Sequence, residues 1–281
     1  MIPARFDYER AGSVDEALEL LGRDDAKLLA GGHSLLPLMK LRLAQPALLV
    51  DIGRIEELSY VRDAGEQLAI GALTRHHDVA NDPLVQEHCP IVSHAAGLIG
   101  DPQVRHRGTI GGSVAHGDPA SDLPTVLLAL DAELAVRGPG GETVVPAADF
   151  FRGLFETALG PQDMLTEIRI PKLGSWTGWS YLKFNRRAQD WATVGVAALV
   201  RRDNGKVEQA SVALTNMGLT PLRATAVEDA LAGSSADDAA AAAEKAHEGA
   251  NPPSDTNASA DYRRELSRVL TRRALEEALS R

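Results

Sequence analysis

Strand-like and helix-like segments follow one another along this chain without a regular order, and this irregularity limits the folds that it can adopt. Apolar runs at 27–30, 48–52 and 67–71 predict strands. The sequence Ser-Val-Asp-Glu at 13–16 has the form of a capping box and predicts the start of a helix. A doubly wound parallel sheet would need a strict alternation of strand and helix, which is missing. We therefore predict the α+β class.

The middle of the chain contains less regular patterns. Thr74 is predicted to cap a helix that runs to residue 80, and 91–99 has a helical pattern. The segment 101–117 is rich in Gly and polar residues, so we predict that it is irregular and functional.

The last third of the chain has its own set of elements. A break at 171–178 predicts a domain boundary. Beyond it lie three strand-like runs, 179–183, 192–201 and 209–215. An Asn-Gly pair at 204–205 predicts a turn between the last two runs. The Ala-rich segment 224–248 and the amphipathic segment 261–279 predict helices.

Charge and cysteine content exclude several classes of protein. Lys and Arg number 29 against 39 Asp and Glu, which gives a net charge of −10, and aromatic residues make up 4%. Nucleic acid requires positive surfaces and stacking platforms, so we expect no nucleic-acid partner. Cys89 is the only cysteine and cannot form an internal disulfide, a thiolate zinc site or an iron–sulfur cluster in this chain. No secretory signal or membrane-length apolar run is present, so we expect a cytoplasmic protein.

Paired glycines occur in two short segments that are candidates for binding an anion. The first is Ala-Gly-Gly-His-Ser at 30–34, between a predicted strand and a predicted helix, and the second is Gly-Thr-Ile-Gly-Gly-Ser at 108–113. Paired glycines allow successive backbone N–H groups to face one point, which forms an anion-binding nest. Taken alone, each pair more often forms a simple tight turn. Two such loops, both with hydroxyl side chains, favour a dinucleotide ligand.

Several common catalytic patterns are missing. Gly-x-Gly-x-x-Gly follows none of the predicted strands and no P-loop is present, which disfavours a Rossmann nicotinamide enzyme and a P-loop NTPase. Leu36 stands where an esterase nucleophile elbow needs its second glycine. His76 and His77 are adjacent and cannot chelate a metal as an i, i+4 pair. We expect His33 and His116 to form loop hydrogen bonds near a ligand.

Four polar or aromatic residues near these segments have two possible roles each. Asp118 and Asp122 could accept hydrogen bonds from a ribose hydroxyl or a ring N–H, or they could cap a helix. Lys183 lies between Leu182 and Phe184 on a predicted strand, and it is either a surface residue or a cation directed at a cofactor ring. Trp191 either packs in the interior or shields a cofactor.

Four motifs resemble one known family. They are Ala-Gly-Gly-His-Ser-Leu-Leu-Pro at 30–37, Asp-Pro-Gln-Val-Arg at 101–105, Thr-Ile-Gly-Gly at 109–112 and Gly-Asp-Pro-Ala-Ser-Asp at 117–122. In this order and spacing they look like the FAD-binding medium subunits of molybdenum hydroxylases, the xanthine oxidase family. The similarity extends from 6–8 through 214–216 to 270–273 and so covers nearly the whole chain.

The resemblance implies a fold, a cofactor and partners. The fold would have two α+β FAD-binding subdomains, 1–57 and 58–173, and a C-terminal domain, 174–281, with a small antiparallel sheet and helices. The partners would be a large subunit with the molybdenum cofactor and a small subunit with 2Fe–2S clusters, arranged as a dimer of heterotrimers. FAD would pass electrons to an external acceptor such as a quinone or a cytochrome. The complex would be cytoplasmic and could associate with the inner face of the cell membrane.

The resemblance also implies contact residues for FAD. The backbone of the two glycine loops would hold the diphosphate, Lys183 would lie beside the isoalloxazine, and Trp191 would shield its face. Ser113 stands where relatives commonly have Asn. The full set of implied contacts is Ala30, Gly31, Gly32, His33, Ser34, Leu35, Ile99, Thr109, Ile110, Gly111, Gly112, Ser113, Ala115, Asp118, Ser121, Asp122, Leu165, Lys183 and Trp191. We predict no catalytic acid, base or nucleophile and no metal ligand in this chain.

Two other functions remain open at this point. A self-contained FAD reductase of the same broad fold would need its own acid or base facing the flavin, and the sequence offers no clear candidate. A non-catalytic scaffold that has lost its cofactor is disfavoured by the intact glycine loops.

Overall fold

The computed structural model describes residues 1–174 and 177–281. It has the predicted α+β class, with separate parallel and antiparallel sheets. The predicted boundary segment 171–178 includes Ser175 and Trp176, which lie outside the described residues. In the part of the chain that the structure describes, no helix is long and apolar enough to cross a bilayer.

The amino-terminal part is built on a small parallel sheet. Its elements are β1 (Asp7–Arg10), α1 (Val14–Leu21), β2 (Ala26–Leu29), α2 (Leu35–Lys40) and β3 (Leu48–Asp51). The strands lie in the order β1-β3-β2. The hydroxyl of Ser13 accepts from Glu16 N–H at 3.2 Å, as predicted for α1. The carboxylate of Glu16 accepts from Gly12 N–H instead of Ser13 N–H, so only half of the capping box is present.

The second part is built on a five-stranded antiparallel sheet. Its strands, with a small hairpin formed by β8 and β9, are β4 (Val61–Ala64), β5 (Gln67–Gly71), β6 (Glu133–Gly138), β7 (Gly141–Pro146), β8 (Phe151–Gly153), β9 (Glu156–Thr157) and β10 (Met164–Pro171). The order in the large sheet is β4-β5-β10-β6-β7, so the last strand in sequence lies at its centre. The predicted strand at 67–71 is confirmed, and β6 and β7 form a hairpin.

Seven helices cover this part within the described residues. They are α3 (His76–Asn81), α4 (Pro83–His88), α5 (Pro90–Gly97), α6 (Pro102–Arg105), α7 (Ile110–His116), α8 (Asp122–Ala129) and α9 (Ala147–Phe150). Thr74 does not cap α3, because its hydroxyl bonds to the backbone of Tyr60 and Arg75 takes the cap position. The segment 101–117 is more regular than predicted, because Asp101 and Thr109 cap α6 and α7.

The C-terminal part has an antiparallel sheet flanked by helices. Its elements are β11 (Thr177–Phe184), β12 (Val194–Asp203), β13 (Lys206–Thr215), β14 (Leu222–Arg223), α10 (Thr225–Leu231), α11 (Ala239–Ala243) and α12 (Ala260–Ser280). Asn204 and Gly205 both have positive φ, 49° and 78°, which confirms the predicted turn. The Ala-rich segment is not one helix, because the chain turns at Gly233, where φ is 75°.

The C-terminal sheet packs on both faces. Ala197 and Ala213 join the hydrophobic core of the second part, whereas Val196 and Val212 pack beneath α10, α11 and α12. Tyr181 of β11 also belongs to the core of the second part. The junction between the second and C-terminal parts is therefore an interior region, and it contains several of the predicted contact residues.

Candidate functional site

The two glycine loops lie directly against each other. A Cβ atom added to Gly31 would overlap the carbonyl oxygen of Arg107 and lie 2.9 Å from Gly108 Cα. A Cβ atom on Gly112 would lie 4.0 Å from Ala30 Cβ. Because Gly31 has no side chain, the backbones can approach this closely. The fold thus joins segments that are distant in the sequence.

The first loop has backbone donors available for a ligand. In the parts of the chain that the structure describes, no acceptor pairs with the amide N–H groups of Gly31, Gly32, His33 or Ser34. Gly32 has a φ of 80°, and Ser34 makes no side-chain cap with α2, which begins at Leu35. A run of unpaired amides around a residue with positive φ has the form of an anion-binding nest. These residues therefore fit a phosphate group.

Most of the backbone amides of the second loop already have partners within the protein. Ile110 N–H donates to Thr74 O at 3.0 Å, Gly111 N–H donates to Ala72 O at 2.9 Å, and Gly112 N–H donates to Thr109 Oγ1 at 3.1 Å. Three of the four backbone amides predicted to hold a diphosphate here, those of Ile110, Gly111 and Gly112, thus already have partners within the protein. Gly111 is required by packing, since its Cβ would lie 2.5 Å from Ala72 Cβ. The second loop thus packs against the first loop, and the hydroxyl of Thr109 caps α7.

Asp118 and Asp122 have different roles in the structure. Asp118 Oδ1 accepts from Ala120 N–H at 2.9 Å, which stabilises the turn before α8. Asp122 is 5% exposed and its side chain turns inward instead of capping α8. Asp118 therefore closes a turn and does not cap α8, whose cap position is Ser121, whereas Asp122 is a buried charge that needs a partner.

Lys183 is that partner. Its ammonium group lies 2.8 Å from Asp122 Oδ2 and 3.2 Å from the carbonyl oxygen of Leu98, and its side chain is 4% exposed. The alternative that Lys183 is a surface residue is wrong. Tyr181, two residues earlier on the same face of β11, donates its hydroxyl to Asp122 Oδ1 at 2.6 Å. Three elements, α5, α8 and β11, thus meet at one buried ion pair.

Burial governs the ionisation of this group of residues. Burial raises the pKa of Asp122, although the positive charge of Lys183 and the hydrogen bonds from Lys183 and Tyr181 oppose it. Burial also raises the pKa of Tyr181 well above its usual value, and the neighbouring Asp122 carboxylate adds to the effect. The phenol therefore remains a donor to the carboxylate at neutral pH.

Four other predicted contacts lie on the elements around the loops. Ile99 and Ala115 are partly buried, at the end of α5 and within α7. Ser121 occupies the cap position of α8, but its side chain makes no capping bond. Leu165 is 5% exposed and lies where the register between β10 and β6 shifts.

Trp191 lies on a supported surface loop between β11 and β12. Its side chain is 59% exposed, so it does not pack in the core. Hydrogen bonds hold the backbone of the next two residues. Asn216 Nδ2 donates to Ala192 O at 2.8 Å, and the buried Arg263 guanidinium donates to Thr193 O. An exposed indole on a fixed loop is available to cover a ligand.

The histidines near the loops differ in burial. His33 is exposed, whereas His76 is 4% exposed. Burial lowers the pKa of His76 to about 4, and the nearby His33 and Arg105 lower it further. The ring of His116 packs against Phe155, with centroids 5.1 Å apart. The structure gives no loop hydrogen bond for the side chains of His33 and His116 within the described residues, contrary to the expectation.

An open cleft of about 220 Å³ lies away from the glycine loops. Its described lining residues are Val14, Glu57, Leu58, Tyr60, Arg62, Arg137, Glu142, Thr166, Glu167 and Arg169. Inside it, Arg62 and Arg169 pair with Glu167 at 2.5 and 2.6 Å. The charges of this cleft are therefore balanced by one another, unlike the unpaired amides of the first loop.

Sequence reasoning missed Tyr181, Thr125 and Thr215. Tyr181 lies within 3.4 Å of Thr215 Oγ1, which donates to Thr125 Oγ1 at 2.8 Å. The spacing of Tyr181 and Lys183 on one strand face was an available signal. No sequence signal indicated Thr125 or Thr215, because their hydrogen-bond partners are distant in the sequence.

Models of protein families match both parts of the chain. Residues 4–173 match the FAD binding domain in molybdopterin dehydrogenase, and residues 179–278 match the CO dehydrogenase flavoprotein C-terminal domain. The chain belongs to the family of FAD-binding subunits of molybdopterin dehydrogenases. The predicted family, the fold class, FAD as the cofactor and the assignment to an oxidoreductase subunit are confirmed.

Individual members of this family are similar to the chain over its whole length. The chain is 45% identical to the carbon monoxide dehydrogenase medium chain of Hydrogenophaga pseudoflava, covering 100% of this chain and 99% of that one. It is 41% identical to the 6-hydroxypseudooxynicotine dehydrogenase complex subunit alpha of Paenarthrobacter nicotinovorans, over 100% and 97% of the two chains. A solved carbon monoxide dehydrogenase from Hydrogenophaga pseudoflava, which lacks the Mo-pyranopterin moiety, superposes with a TM-score of 0.97 at 46% identity and covers 100% of this chain and 99% of that chain.

Proposed function

We propose that this chain is the FAD-carrying medium subunit of a molybdenum dehydrogenase that oxidises carbon monoxide. The proposal is supported by the 45% identity, over the whole chain, to a carbon monoxide dehydrogenase medium chain. Bound FAD supplies electron transfer between one-electron and two-electron partners. The molybdenum cofactor and the 2Fe–2S clusters belong to a large and a small partner subunit, in agreement with the single cysteine of this chain.

One observation supports the FAD site: among the residues that the structure describes, the amides of Gly31 to Ser34 have no acceptor, and Gly31 lies against the second glycine loop. We place the diphosphate on these amides, with the hydroxyl of Ser113 as a further donor. Lys183 and Asp122 lie on the isoalloxazine side and Trp191 covers the ring. The remaining contacts of this site are Ala30, Leu35, Ile99, Thr109, Ile110, Gly111, Gly112, Ala115, Asp118, Ser121 and Leu165.

The assembly follows from this role. Two copies of the trimer of large, medium and small subunits form the complex, which works in the cytoplasm and associates with the inner face of the membrane. There, FAD gives its electrons to an external acceptor, a quinone or a cytochrome. We also retain the division into 1–57, 58–173 and 174–281, since the three larger sheets fall in these three ranges.

A second substrate class has specific support. A subunit of the 6-hydroxypseudooxynicotine dehydrogenase complex is 41% identical, only slightly less than the carbon monoxide relative. The partner subunit that holds molybdenum selects the substrate, so a medium subunit changes little between such enzymes. Aldehyde, purine and N-heterocycle dehydrogenases are therefore the alternative.

Copurification from the native host tests the proposal. We expect the chain to bring down a large molybdenum subunit and a small iron–sulfur subunit, and the complex to reduce a dye acceptor with carbon monoxide as the donor. Activity with an aldehyde or an N-heterocycle, but not with carbon monoxide, would select the alternative. A solitary chain that oxidises NADH or NADPH by itself would be a self-contained reductase and would overturn the proposal.

A further inference from the structure

A buried chain of hydrogen bonds lies behind Lys183. Asp122 receives Lys183 on one carboxylate oxygen, at 2.8 Å, and the hydroxyl of Tyr181 on the other, at 2.6 Å. Behind Tyr181 lie Thr215 and Thr125, and both are 0% exposed. The chain links α8, β11 and β13 across the junction between the second and C-terminal parts.

Gly195 on the neighbouring strand β12 leaves room for the hydroxyl of Tyr181. A Cβ atom added to Gly195 of β12 would lie 2.8 Å from the hydroxyl oxygen of Tyr181 and 2.7 Å from Thr215 Oγ1. Such contacts are closer than side-chain atoms tolerate, so even alanine here would displace the hydroxyl. The hydroxyl of Tyr181 thus occupies a space that glycine keeps open.

Stability alone does not account for this arrangement. Moving two charges out of water costs several kcal/mol per ion, and apolar residues of similar volume often stabilise a protein as well or better. The ammonium group of Lys183 has three donors, and two acceptors, Asp122 and the Leu98 carbonyl, are present within the described residues. One donor therefore remains for a ligand at this junction.

We propose that Tyr181 is a positioning residue for electron transfer: its hydroxyl holds Asp122 so that Lys183 presents a fixed positive charge, partly compensated by Asp122, to the isoalloxazine of FAD. The inference rests on the proposed function, since it needs the flavin beside Lys183. A fixed cation favours the form of a bound group that carries more negative charge, and Asp122 moderates this effect. Tyr181 thereby sets the redox potential of the flavin without touching it.

The pH dependence follows from the groups that face Asp122. These are Lys183 and Tyr181 on β11 and Asp118 in the loop before α8. Lys183 and Tyr181 favour the ionised carboxylate, whereas burial and Asp118 disfavour it. Without the Tyr181 hydroxyl, the pKa of Asp122 rises further, so Asp122 takes up a proton at a higher pH. The charge of Lys183 is then no longer compensated on the acidic side, and the flavin potential rises there.

The test compares Tyr181→Phe with Thr215→Val in the FAD-loaded protein. The midpoint potential of the bound flavin is measured by anaerobic reductive titration across a pH series, together with FAD content and affinity. We expect Tyr181→Phe to retain FAD, to have a more positive potential than the parent at acidic pH, and to converge with the parent at alkaline pH. Thr215→Val keeps the bond between Tyr181 and Asp122, so its profile should follow that of the parent.

Gly195→Ala is a second variant that displaces the same hydroxyl without deleting it, and the same acid-side rise is expected. A parental profile in a FAD-loaded Tyr181→Phe protein overturns the inference and leaves the proposed function intact. An equal shift in Thr215→Val also overturns it, because packing would then be the cause. Failure of the parent protein to bind FAD contradicts the proposed function itself.

Discussion

A buried lysine needs hydrogen-bond acceptors inside the protein. The acceptors of Lys183 are distant from it in the sequence, so the sequence alone does not reveal them. Its carboxylate partner is separated from it by 61 positions and its carbonyl partner by 85. From the sequence alone Lys183 reads as one charge between two apolar neighbours. The resemblance implied that Lys183 lies beside a cofactor, but only the fold shows that it is buried and forms an ion pair with Asp122.

Removing one member of the buried pair of Lys183 and Asp122 should destabilise the protein strongly. Lys183→Met leaves the Asp122 carboxylate buried without its counter-charge, and we expect a loss of about 3–5 kcal/mol in the free energy of unfolding. Urea unfolding of the FAD-free protein measures this loss. Lys172→Met is the matched control, since its pair with Asp63 has a similar distance of 2.6 Å but side chains 20% and 50% exposed. Its loss should be much smaller, because exposed ion pairs contribute little to stability, and equal losses would contradict the interpretation of Lys183.

Gly32 allows a test of the first glycine loop. Gly32→Ala forces a side chain into a φ of 80°, and Gly65→Ala does the same at 81° in the turn between β4 and β5. Each should cost about 1–2 kcal/mol of stability. Only Gly32→Ala should also weaken FAD binding, by about tenfold or more, which corresponds to about 1.4 kcal/mol. Equilibrium titration of the FAD-free variants with FAD measures both affinities, and equal affinities would place the diphosphate elsewhere.

Helix boundaries depended on local signals that sequence composition partly conceals. The segment 101–117 reads as irregular because of its glycines, yet Thr109 accepts from Gly112 N–H and starts α7. Conversely, 224–248 reads as one Ala-rich helix, but Gly233 turns the chain. Strong apolar periodicity and the Asn-Gly turn were predictable because they depend on adjacent residues. Caps and breaks also depend on the tertiary contacts of each residue, which the sequence does not display.

The central strand β10 carries a carboxylate that should control acid stability. Burial alone would raise the pKa of Glu167, but hydrogen bonds from Tyr60 and Arg169 and the charges of Arg62 and Arg169 outweigh it and lower the pKa. A carboxylate whose pKa is lower in the folded than in the unfolded protein stabilises the fold above its unfolded pKa. That stability is lost as the pH falls through the folded pKa.

Glu167→Gln should therefore flatten the acid side of the stability profile. The parent should lose stability steadily as the pH falls below the usual glutamate pKa of about 4.3, and the variant should lose less over the same interval. At neutral pH the variant should be the less stable protein, because Arg62 and Arg169 lose their shared partner. Urea midpoints at a series of pH values measure both effects. Glu142→Gln, at an exposed partner of Arg169, is the control and should preserve the parental slope.

The second and C-terminal parts of the molecule share a hydrophobic core. The family of the chain was predicted from motifs at 30–37 and 101–122, and its fold class from the irregular order of strands and helices, but the way the parts meet could not be predicted from either. That junction depends on Tyr181, Ala197 and Ala213, which belong to C-terminal strands and complete the core of the second part. Their side chains are ordinary in sequence, and only the three-dimensional packing gives them this role.

Because the second and C-terminal parts share a core, we predict that they unfold together. All three tryptophans lie between positions 176 and 191, and Trp179 packs against the core of the second part. Tryptophan fluorescence therefore reports on the C-terminal sheet and its junction, whereas far-UV circular dichroism reports on the whole chain. We expect both signals to give the same urea midpoint, because loss of the C-terminal sheet would expose the core beneath it. FAD at about 100 times its dissociation constant should stabilise the protein by about 2.7 kcal/mol in both signals. Separate midpoints, or a shift by FAD in circular dichroism only, would mean that the ion pair of Lys183 and Asp122 does not couple the two parts.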